Sequence, residues 1–163
     1  MTEPLLTVSV NAAVHRERVP ERLLQDVLDF CYRSKRKKPA RLALLVAGDA
    51  EMARLNRRHL GIDGPTDVLA FEDGEMEDGA LRLGDVAIGF EVAEREAAGR
   101  GIELDHELVF YALHGLLHLL GMDDGTDEDR SRMHKAQAKA MRDFGLPAGE
   151  RYLEIWKAGG NDD

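Results

Sequence analysis

Apolar residues recur along this chain with two periods, and each change of period marks an element. Leu5-Leu6-Thr7-Val8-Ser9-Val10 is rich in β-branched residues and predicts a first strand. Pro20 opens a stretch in which Leu23, Leu24, Val27, Leu28 and Cys31 fall on one helical face, so a helix is expected to about Tyr32. Leu42-Ala43-Leu44-Leu45-Val46 reads as a short strand. Asp49 is then expected to cap a helix carrying Met52 and Leu55 on one side. Thr66 to Phe71 and Leu83 to Phe90 read as two further strands, with an acidic, Gly-rich solvated loop from Glu72 to Ala80 between them.

Glu91 to Gly99 predicts a short helix. Leu104 to Leu120 predicts a strong one, apolar nearly all round and therefore buried. Gly121 is its stop. Thr126-Asp127-Glu128-Asp129 looks like a helix start, and the helix it opens ends at Gly145 with Pro147 just beyond. The tail from Gly159 to Asp163 is expected to fray. The order implies an α+β fold: a small mixed sheet of about four strands, covered by helices, in one domain over residues 1–163.

Composition narrows the class. With 44 % hydrophobic and 33 % charged residues, the 163-residue chain is too apolar for disorder and too charged for a membrane protein. The lone Cys31 excludes an intrachain disulfide, and Met1-Thr2-Glu3-Pro4 lacks the basic and apolar regions of a secretion signal. A cytoplasmic location is the expectation. The net charge of −9 is uneven, +5 over residues 1–60 and −14 over the rest. The densest basic run is Arg33, Lys35, Arg36, Lys37, Lys38 and Arg41, which on its own reads as a solvated helix end.

The segment that carries chemistry is His114-Gly115-Leu116-Leu117-His118-Leu119-Leu120-Gly121-Met122-Asp123-Asp124. Histidines four apart on a helix share a face. In an apolar helix each imidazole needs a partner. It finds one either in the backbone or in a metal ion that both rings share. The carboxylates after the helix stop favour the metal, since Asp123 or Asp124 would supply a third ligand and leave a fourth position open for water. A protease of the H-E-x-x-H type is a poor match, because Gly115 stands where its general base would be.

Three stretches together resemble the YbeY family of bacterial endoribonucleases, which act in ribosomal RNA maturation. His114 to Asp124 is similar to the family signature H-G-x-L-H-L-x-G-Y-D-H, Pro65 to Phe71 to its P-T-D-V-L-S-F strand, and Leu83 to Ile88 to its L-G-D-I-x-I strand. The resemblance implies a single-strand-specific, zinc-dependent endoribonuclease with one zinc per chain, held by His114, His118 and, by position, Asp124, where the family has histidine. His134 is a possible substitute for Asp124. The family's catalytic arginine falls on Leu60, which leaves Arg57, one turn earlier, as the candidate for its role. Asp85 is expected to orient a ligand histidine or the metal's water.

The implied partners are single-stranded or ribosomal RNA and the ribosome or its proteins, with no membrane and no DNA. The basic run then becomes a track for the RNA backbone. A second reading, an assembly factor with a structural metal and little nuclease activity, rests on the departures at Leu60 and Asp124.

Overall fold

The computed structural model describes residues 3–159. Five strands form one sheet: β1 (Leu6–Ala12), β2 (Ala40–Ala47), β3 (Val68–Glu72), β4 (Met76–Glu77) and β5 (Ala80–Gly89). The order is β1-β2-β5-β3, with β4 also paired to β5. β1, β2 and β5 run parallel, and β3 and β4 antiparallel to β5. Six helices accompany the strands: α1 (Glu21–Arg33), α2 (Asp49–Leu60), α3 (Phe90–Arg100), α4 (Leu104–Leu119), α5 (Asp127–Phe144) and α6 (Ala148–Gly159). The mixed sheet covered by helices is as expected. Of the tail expected to fray, Gly159 instead ends α6, and residues 160–163 lie outside the described residues.

The two faces of the sheet are covered unequally. Leu6 and Val8, then Leu42, Leu44 and Val46, then Leu83, Val86 and Ile88 face one way, into the main core with α1, α3, α4 and α5. The other face is covered by α2, whose Met52 and Leu55 pack on Leu69, Phe71, Ala47 and Ala87. Gly84 decides which residues of β5 face where. Its φ of 146° and the register shift opposite Arg41 and Leu42 mark a bulge, so Leu83 and Val86 both point into the core although three positions apart. A side chain at 84 would strike the Phe71 carbonyl oxygen, 2.1 Å from its Cβ.

α4 is the pivot of the main core. It touches β3, β5, α1, α3 and α5. Ten of its residues are buried, as its all-round apolar pattern requires. It lies close against β5 because Gly115 has no side chain: a Cβ there would come 2.5 Å from Val86 Cγ1. At its first turn the fully buried Glu107 accepts hydrogen bonds from Arg100 and the Tyr152 hydroxyl. Burial pushes the Glu107 carboxyl up, against the pull of those two partners.

Three local expectations are corrected. The segment from Glu72 to Ala80 is not all loop, since Asp78-Gly79, both at positive φ, turn β4 tightly onto β5. The chain does not end its helices at Gly145, because α6 follows and Tyr152 anchors it to Glu107. Asp49 does not cap α2. Gly48 takes the cap position, Glu91 Oε1 accepts from the Asp49 N–H at 2.8 Å, and the Asp49 carboxylate is drawn to Arg95 at 2.9 Å. The Thr126 cap is present, its hydroxyl accepting from the Asp129 N–H at 3.0 Å.

The packing of Gly115 on Val86 yields a stability test. Gly115→Ala gains about 1 kcal/mol of helix propensity but costs about 1–3 kcal/mol of overpacking, so chemical denaturation is expected to show a net loss. In a double-mutant cycle with Val86→Ala the two changes should offset one another. Additive losses would mean that the two positions do not meet.

Candidate metal centre

His114 and His118 stand one turn apart on the same face of α4, both half-buried at its C-terminal end. The helix stops at Leu120, and Gly121, at φ 102°, reverses the chain toward α5. That reversal brings Asp124 back over α4, where its Oδ2 lies 3.1 Å from His114 Nε2. The other ring nitrogen, Nδ1, lies 3.1 Å from Oε1 of Gln137 on α5. The His118 imidazole makes no hydrogen bond or ion pair among the described residues, while its backbone carbonyl accepts from the Gly121 N–H. His134, on α5, faces the same space, its ring centroid 6.4 Å from that of His114. Burial first, and then the charges of His114, Arg100 and Arg130, push His134 down to about 4, so it is neutral at neutral pH.

The donor chemistry suits a cation. The Gln137 amide nitrogen donates to the Phe110 carbonyl at 2.9 Å, and a carbonyl can only accept. The amide oxygen therefore faces His114 Nδ1, which must carry a proton. His114 Nε2 then points its remaining valence at a carboxylate. It must either take a second proton, making the ring cationic, or give its lone pair to a cation shared with Asp124. His114, His118 and Asp124 thus fit a divalent ion by donor type. Among the described residues, no three His, Cys, Asp or Glu side chains are already closed around one point.

The other sequence candidates lie elsewhere. Asp85 is on β5 next to Val86 but points to the opposite face, away from α4. It is exposed there, in an open depression of about 610 Å³ lined also by Ser9, Ala43, His59 and Phe71. The Gly84 bulge and the alternation of the strand put it there, so the sheet separates it from His114. Arg57 is at the exposed end of α2, where its guanidinium holds Asp63 at 2.9 Å. Leu60 is 58 % exposed. Arg36, from the basic run, does reach α4, donating to the Leu120 carbonyl at 3.3 Å.

The other three histidines lie apart from this cluster. His15 stacks on Phe90 and pairs with Glu91 at 3.0 Å, His59 rests on Phe71 at 4.5 Å between ring centroids, and His106 is half-buried. Sequence reasoning missed Gln137. Its signal was a lone amide in the apolar stripe Met133, Ala138, Met141 of α5.

Residues 9–145 match the family described as Endoribonuclease YbeY. Relatives carrying that name include one from Heliobacterium modesticaldum, 39 % identical over 116 residues (64 % of this chain, 70 % of the relative). Another, from Syntrophotalea carbinolica, is 40 % identical over 128 residues (76 % and 80 %). A third, from Rhodopseudomonas palustris, is 39 % identical over 112 residues (66 % and 59 %). The solution structure of a Thermotoga maritima protein has the same fold, with a TM-score of 0.59, 21 % identity, and 96 % and 97 % of the two chains covered. The chain belongs to the YbeY family.

Proposed function

We propose that this chain is a zinc-dependent endoribonuclease acting on single-stranded RNA, ribosomal precursors foremost, with the ion held by His114, His118 and Asp124. The observation that carries this is the approach of Asp124 to His114 Nε2, with Nδ1 of the ring already committed to Gln137. Cleavage of RNA is the activity named for the relatives. A zinc ion in such a site supplies Lewis acidity toward a phosphoryl oxygen.

The chain's own cations favour a polyanion at this end of α4. Most arginines are engaged in ion pairs, yet Lys35, Arg36, Lys37 and Lys38 form none among the described residues. All four are exposed, in the turn between α1 and β2, and Arg36 ties that turn to the end of α4. In a protein of net charge −9, four successive cations outside any ion pair, beside the candidate centre, are placed to hold phosphates against it. Arg57 lies on α2, across the sheet from α4, so it would meet phosphates only on that other face, where its exposed pair with Asp63 is of the kind worth about 1 kcal/mol or less. Asp85 has no part in the centre, since the sheet lies between. It faces solvent on the other side of the sheet.

Two outcomes are expected. His118→Ala and Asp124→Asn each lose zinc, measured by elemental analysis of purified protein, and cleave single-stranded RNA no better than chelator-treated wild type. Full zinc in His118→Ala would remove the ligand assignment. Replacing Lys35, Arg36, Lys37 and Lys38 by Ala flattens the salt dependence of RNA binding by roughly one unit of log–log slope for each phosphate that is no longer neutralised. An unchanged slope would return this turn to the role of a solvated helix end.

A further inference from the structure

We infer that Gln137 is a positioning residue of the centre, fixing the proton of His114 at Nδ1 so that Nε2 faces the ion. The inference rests on the ligand set proposed above. Gln137 is 1 % exposed, on a stripe of α5 that is otherwise apolar. An amide is costly to bury unless both of its ends are satisfied, and an apolar side chain of its length would fill the same space. Here both ends are satisfied, and each by α4: Nε2 donates to Phe110 O at 2.9 Å, and Oε1 lies 3.1 Å from His114 Nδ1. Phe110 and His114 are four residues apart and so lie one above the other on the helix. One amide spans the two positions and transmits the polarity of the first to the second.

That polarity has a fixed sense. Phe110's carbonyl cannot donate, so the amide cannot turn over without facing oxygen with oxygen and NH₂ with the ring. Nδ1 is held as donor, and the ring is held against rotation about its Cβ–Cγ bond. The nitrogen toward Asp124 is left unprotonated whenever a cation replaces its proton, which is the form a metal takes. Because the amide is neutral, it sets the tautomer without adding charge, and among the described residues Asp124 supplies the carboxylate paired with that ring.

The test uses the full chain, with zinc affinity read by chelator competition and thermal unfolding read on the metal-free protein. Gln137→Met keeps the length and removes both hydrogen bonds, whereas Gln137→Glu keeps an acceptor opposite Nδ1. Gln137→Met is expected to bind zinc about 10–100-fold more weakly with no loss of metal-free Tm, and Gln137→Glu to bind close to wild type. Equal weakening in both variants, or a lower metal-free Tm with unchanged affinity, would make Gln137 a packing residue. Should Gln137→Met fail to fold, Gln137→Glu decides: zinc held near the wild-type affinity supports the role, and zinc binding abolished overturns it. Full zinc binding by His114→Ala would overturn the ligand set and this inference with it. Full zinc binding by Gln137→Met, beside a His114→Ala chain without metal, would overturn this inference alone.

Discussion

Everything at the centre depends on how closely α4 can approach the sheet. The absent side chain at Gly115 lets the helix rest on Val86, and that packing sets its depth and rotation at once. Leu113, Leu116 and Leu117 are then buried, while His114 and His118 emerge together at the edge of the core. α5 closes over that edge with Met133 and Gln137, and the turn at Gly121 returns Asp124 to the same place. The position that would carry a general base in an H-E-x-x-H helix is used here for packing, so any proton transfer must be served by other groups.

The first turn of α4 is fixed by a different interaction. Glu107 is fully buried and would be strongly unfavourable alone, but Arg100 and Tyr152 close on its carboxylate from α3 and α6. Three helices are thereby locked at the end of α4 remote from the histidines. α6, which supplies Tyr152 to this lock, lies beyond the residues matched to the family model. With one end held by Glu107 and the middle by Gly115, the histidine end has little freedom to shift. A site whose ligands are oriented by hydrogen bonds from behind needs that rigidity.

Much of this was legible in the sequence. The apolar run from Leu104 to Leu120 announced a buried helix, the histidine spacing a shared face, and Thr126 the start of α5, because each is a local pattern with a local cause. What was not legible depends on partners distant in sequence. Asp49 resembles a cap, but Glu91, 42 residues on, supplies the acceptor. Asp85 belongs to a family-like motif, yet the bulge at Gly84 sets which face it takes. Gln137 looks like an ordinary polar residue until α4 and α5 are packed together. Two misses were local after all: the Asp78-Gly79 turn is a hairpin signal, and Ala148, Tyr152 and Ile155 have helical spacing.

The central claim is that His114, His118 and Asp124 share one zinc ion. X-ray absorption at the zinc edge of the loaded protein measures this directly, since imidazole rings leave multiple-scattering features that carboxylates and water do not. The account predicts a first shell of nitrogen and oxygen at about 2.0–2.2 Å, with two imidazoles in the wild type. A first shell containing sulfur, or one without imidazole features, would contradict it.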